Sequence, residues 1–67
     1  MTRLQKVRKE QGLSQSELAG YAQIPLRTLQ ALEQGTRDIN KASAETVLRL
    51  SRALRVQMQD IMEDLLW

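Results

Sequence analysis

Arg27 and Gln30 stand three residues apart in the stretch Ile24-Pro25-Leu26-Arg27-Thr28-Leu29-Gln30-Ala31-Leu32-Glu33-Gln34-Gly35. On a helix that spacing puts them on one face. Leu29 and Leu32, with Ala22 and Ile24 from the turn before, point one way, which leaves Leu26, Arg27, Gln30, Ala31 and Gln34 for the other side. A short helix with a guanidinium and carboxamides on its free face suits the DNA major groove, where both groups make bidentate bonds to base edges. Catalytic chemistry has far less to stand on. The chain has no Cys and no His, so it offers no thiolate nucleophile, imidazole base or Cys/His zinc site. Its carboxylates are scattered, and Asp60, Glu63 and Asp64 read as a solvated acidic face before they read as a weak divalent-ion site. The expectation is no enzyme, no cofactor and no metal.

Two helices and a tight turn must position that face. Ser14 with Glu17 forms a capping box that opens one helix; Pro25 pre-sets the start of the next, and Gly35 ends it. The first turn at Ser14, Gln15 and Ser16 supplies backbone N–H donors that suit a phosphate. Upstream, Thr2 and Gln5 repeat the capping pattern, Leu4 and Val7 give an apolar stripe, and Gly12 is a stop, which predicts a helix over about 3–11. Leu13 packs inward, and Leu18, Ala19 and Ala22 recur at helical spacing. Tyr21 reads as a partly buried packing residue, with a phosphate contact as the second reading.

Beyond Gly35 a polar link leads to Asn40, which can cap a helix from Lys41, while Ser43 can cap a shorter one. Val47, Leu50 and Leu54 form its core stripe, and Arg49, Arg52 and Arg55 read as a solvated face. Met58, Ile61, Met62, Leu65 and Leu66 predict a last amphipathic helix over 58–66.

Composition bounds the rest. With 67 residues the chain is expected to be one domain, 1–67, around a single small core. One Trp, one Tyr and no Phe leave that core to Leu, Ile, Val, Ala and Met, which favours helices over strands and an all-α fold. The formal charge of +2 is compatible with nucleic acid without establishing it. Its distribution is more telling: Arg3, Lys6, Arg8 and Lys9 crowd the start, and Asp60, Glu63 and Asp64 the end. No apolar run approaches the roughly 20 residues that span a bilayer, and no signal-peptide pattern opens the chain. The expectation is a soluble, intracellular protein with no membrane partner.

The residues Gln15, Glu17, Leu18, Ala19, Ile24, Leu29, Glu33 and Gly35 together resemble the helix-turn-helix of the XRE family, the lambdoid phage repressor and Cro-like proteins. The resemblance covers nearly the whole chain. It implies a compact five-helix fold with helices 2 and 3 as the motif, and a bacterial or phage-borne, cytoplasmic, nucleoid-associated regulator. It implies base contacts by Gln15, Leu26, Arg27, Gln30 and Ala31, with Arg27 first as a guanine reader and Leu26 and Ala31 resting on thymine methyls. Phosphate contacts fall to Ser14, Ser16, Thr28, Gln34, Arg37 and Lys41, although Asp38 between the last two departs from the pattern. Arg8 and Glu33 match a buried ion pair that joins helix 1 to the end of helix 3. Relatives carry Gly where Gln23 and Arg55 stand, which implies that both are held at positive φ, and Gln57 replaces the usual Ser or Thr cap.

The functional expectation is sequence-specific binding of double-stranded DNA and transcriptional regulation, most simply repression. Relatives usually bind near-palindromic operators as homodimers, and Met58, Met62, Leu66 and Trp67, aided by Leu48, are the candidate interface. Folding of Trp67 back over the core is an equal reading. The rival is a protein-interaction module, or an antitoxin that holds a partner protein and binds DNA weakly or on its own operon.

Overall fold

The structure, a computed structural model, describes residues 1–63. Four α-helices follow in order: α1 (Arg3–Glu10), α2 (Gln15–Ala22), α3 (Leu26–Gln34) and α4 (Ala44–Leu54). Short 3₁₀ turns at Ile39–Lys41 and Met58–Asp60 complete the described elements, none of which is a strand. No described helix is long and apolar enough to cross a membrane.

Each start is the one its residues encode. The Thr2 hydroxyl accepts from the Gln5 N–H at α1. At α2 both halves of the capping box form, with the Glu17 N–H donating to Ser14 Oγ and the Ser14 N–H to Glu17 Oε1. Pro25 opens α3 without a side-chain cap. Leu4, Leu18, Leu29, Leu32, Val47, Leu50, Leu54 and Ile61 then meet in one aliphatic core with almost no exposure, into which Ala19, Ala22 and Ile39 also pack.

Three helices end alike. The N–H groups of Leu13, Ile24 and Val56 reach back five residues to the carbonyls of Arg8, Ala19 and Ser51. That closure needs a left-handed residue just before the donor. Gly12 takes it at φ 72°, but Gln23 and Arg55 take it at 57° and 58°. For a residue with a Cβ the left-handed region costs on the order of 1 kcal/mol. At Gln23 the turn gains a tie, because Arg49 on α4 donates from Nη1 to the Gln23 carbonyl at 3.1 Å.

Three expectations need correcting. The last helix is not a continuous α-helix over 58–66: its described part is the 3₁₀ turn Met58–Asp60, followed by Ile61, Met62 and Glu63. The Glu63 N–H, which an α-helix would send to the Gln59 carbonyl, donates instead to Asn40 Oδ1 at 3.0 Å, while Asn40 Nδ2 donates to the Glu63 carbonyl at 2.9 Å. A tertiary amide has taken the backbone groups that helix growth requires. So the described residues form four α-helices, and residues 64–66 lie outside them. Asn40, thus occupied, does not cap α4; Ser43 does, accepting from the Thr46 N–H. Lys41 falls in the preceding 3₁₀ turn, which Asp38 caps through the Asn40 N–H. Tyr21 is not partly buried: it is 64% exposed, flanking the face of α2 that Leu18, Ala19 and Ala22 bury.

Candidate nucleic-acid interface

The region begins with a buried charge pair. Arg8 on α1 and Glu33 on α3 meet through Nε to Oε2 at 2.6 Å and Nη2 to Oε1 at 3.0 Å, with side chains 9% and 1% exposed. The third guanidinium nitrogen, Nη1, donates to the Leu13 carbonyl at 2.7 Å, just before α2. A fork of planar donors fits a carboxylate edge-on, which is why Arg serves this position and Lys would not. Thr2 closes the same corner by donating from its hydroxyl to the Glu33 carbonyl at 3.2 Å. One buried pair therefore fixes α1, the entry to α2 and the end of α3 relative to one another.

Gln15 joins this cluster. Its Nε2 donates to Glu33 Oε1 at 3.0 Å, and its Oε1 accepts from Gln30 Nε2 at 3.4 Å. Arg8, Glu33, Gln15 and Gln30 thus form one chain of hydrogen bonds running from the buried pair to the exposed side of α3. No buried side-chain nitrogen or oxygen is left unpartnered among the described residues.

The other residues expected to face DNA divide by surroundings. Leu26, 38% exposed, and Arg27 stand in solvent at the start of α3, and Arg27 makes no hydrogen bond or ion pair among the described residues. Ala31 and Thr28 are half-buried, and Gln34 is exposed at the far end of the helix. Ser14 and Ser16 are exposed at the start of α2, but both the hydroxyl and the N–H of Ser14 are engaged by Glu17. The Ser14 N–H is thus spent on the Glu17 carboxylate, while its hydroxyl, which only accepts in the cap, keeps its own proton to donate. Arg37 and Lys41 are exposed on the segment after α3, and Asp38 between them is spent on capping.

Of the candidate dimer residues, Met58 and Met62 are half-buried and pack on the chain's own core, while Leu66 and Trp67 lie outside the described residues. Leu48 is 37% exposed on α4. Among the ties that sequence reasoning missed are the Asn40 clasp on Glu63, the Arg49 bond to the Gln23 carbonyl, the Thr2 bond to the Glu33 carbonyl, and Gln11 Nε2 donating to the Leu54 carbonyl at 2.6 Å. Each joins a side chain to backbone more than 20 residues away, so no local pattern announces it.

Comparison with curated proteins and with solved structures returned no match. The helix-turn-helix family model HTH_3 matches residues 4–61, a span from the first core leucine, Leu4, to the last described core residue, Ile61. The chain belongs to the XRE-type helix-turn-helix family of DNA-binding transcription regulators.

Proposed function

We propose that this protein is a sequence-specific repressor that lays α3 in the major groove of double-stranded DNA. The observation that carries the reading is the start of α3, where Leu26 and Arg27 are exposed and Arg27 has no polar partner among the described residues, while the far end of the same helix is locked to α1 and α2. Arg27 reads guanine through O6 and N7, and Leu26 lies against a thymine methyl. Gln30 and Ala31, half-buried on the same helix, complete the base-facing set, with Gln15 behind them. Arg37 and Lys41 on the following segment, with Gln34, Thr28 and Ser16, hold phosphates and set the register without reading sequence.

One such helix spans only a few base pairs, so affinity and selectivity call for two copies. A homodimer on a near-palindromic operator with half-sites about 34 Å apart supplies them. Leu48, exposed on α4, belongs to a face available for that contact. The cytoplasm, at the nucleoid, is the compartment this role requires.

Selection of bound duplexes from a random pool, followed by titration against salt, tests the reading. The expected result is a short inverted repeat whose affinity falls steeply as salt rises, because each neutralised phosphate releases counterions. Failure to recover any motif, with weak binding even at low salt, would overturn it in favour of a protein partner.

A further inference from the structure

We infer that Asn40 is a positioning residue for phosphate contact: its clasp on Glu63 holds the link after α3 in an orientation that presents Arg37 and Lys41 together. The inference rests on the DNA-binding reading above and concerns affinity, not base choice. Arg37 and Lys41 are both exposed, on the link between α3 and α4. At the start of that link the Thr36 hydroxyl and the Arg37 N–H both donate to the Ala31 carbonyl at 3.2 Å. Further on, the Lys41 N–H donates to the Asp38 carbonyl at 2.9 Å. These bonds tie the link to the end of α3 and fold it on itself, but none of them reaches another part of the molecule.

Two side chains do reach. Ile39 enters the core at 4% exposure, which pins one point of the link. An aliphatic side chain fixes a position and leaves rotation about it open. Asn40, the next residue, adds direction: Oδ1 accepts from the Glu63 N–H at 3.0 Å, and Nδ2 donates to the carbonyl of the same residue at 2.9 Å. Two opposed bonds to one residue set orientation as well as distance, as they do where paired strand residues exchange both backbone bonds. A carboxamide can make both because it carries a donor and an acceptor side by side, whereas a carboxylate brings acceptors alone and an ammonium donors alone. Glu63 is itself held, with Oε1 accepting from the Arg3 N–H at the start of α1 at 3.0 Å. The clasp thus runs from α1 through Glu63 to the residue beside Lys41, and Asn40 acts without touching DNA.

The test reads the salt dependence of binding. Affinity is titrated against salt for wild type, Asn40→Ala, Arg37→Ala with Lys41→Ala, and the triple variant, on the selected site and on duplexes substituted at each base pair, at a temperature where melting curves show all four folded. Faster exchange of the Glu63 amide proton in Asn40→Ala verifies that the clasp has opened. If Asn40→Ala does not fold, Asn40→Leu, neutral and of similar bulk, replaces it. Removing both cations is expected to flatten the slope of log affinity against log salt by about 2, since each lost phosphate contact takes away about 0.9. Asn40→Ala, with both cations present, is expected to flatten it by about 1 or more and to leave base preference unchanged. In the triple variant the loss of Asn40 then adds nothing. An Asn40→Ala protein that melts earlier but keeps the wild-type slope would overturn the inference. So would a slope unmoved by removal of both cations, an Asn40 effect that adds fully to theirs, or a shift in base preference. Each of these leaves base reading by α3 in place. A wild-type protein with no base preference anywhere would overturn that reading and the inference with it.

Discussion

The two ends of α3 are built on opposite terms. At Glu33 the side chain is 1% exposed and receives Arg8 Nε, Arg8 Nη2 and Gln15 Nε2, while its backbone carbonyl takes the Thr2 hydroxyl. At Leu26 and Arg27 the helix opens on Pro25 with no side-chain cap, and neither residue has a polar partner among the described residues. A buried polar group without partners is costly, whereas a solvated one gives up only water bonds when a ligand arrives. The locked end therefore fixes orientation, and the open end is the one to which the proposed function assigns contact. A helix of nine residues can do both because Leu29 and Leu32 anchor its length in the core between them.

Breaking the locked end carries the largest expected effect. Arg8→Ala or Glu33→Ala leaves a buried charge unpaired and should cost about 3–5 kcal/mol of stability, measured by urea unfolding. Replacing both by apolar residues of similar volume, Arg8→Met with Glu33→Leu, should cost far less than either single change, since the pair's attraction largely offsets its own desolvation. At the open end, Arg27→Ala should leave the melting temperature nearly unchanged and cost about 1–3 kcal/mol of binding, confined to one base-pair position in a substitution series. Stability and binding thus separate along one helix.

Smaller effects sharpen the contrast at the turn that feeds the open end. Gln23→Gly removes a left-handed non-glycine residue and should stabilise by about 1 kcal/mol, less the extra chain entropy of glycine, read as a higher melting temperature. Arg55→Gly relieves the same conformation at the end of α4, away from the α2–α3 turn. A gain in DNA affinity with the first substitution alone would show the turn itself limiting how α3 meets the groove. The smallest expected change is Gly20→Ala on α2, where an added Cβ meets nothing within 4 Å. It should raise stability by about 0.5–1 kcal/mol and leave DNA affinity as it was.

The helix starts, the aliphatic core and the left-handed positions were legible because each is encoded within a few residues. Capping residues at Thr2, Ser14 and Ser43 answer N–H groups three positions on, and the leucines recur at the helical period. The resemblance added that Gln23 and Arg55 stand where glycine is usual, and both adopt the conformation that glycine would. Tyr21 was misjudged because an aromatic on a short helix suggests packing, yet α2 commits only one narrow face to the core. The final helix was overextended because an apolar period says nothing about which backbone groups a distant Asn40 will claim.

By itself the sequence determined the helix-turn-helix, its boundaries at Ser14, Pro25 and Gly35, and that Leu29 and Leu32 are the leucines of α3 that enter the core. These follow from nearest-neighbour backbone chemistry and the helical period, which act over one or two turns. Only the tertiary structure decided which way the Gln15 and Gln30 amides face, that Asn40 clasps Glu63 instead of capping α4, and that Arg49 supports the turn at Gln23. The physical reason is common to all three: a side-chain amide or guanidinium can satisfy many partners, and which one it meets is settled when packing of the core brings remote segments within about 3 Å.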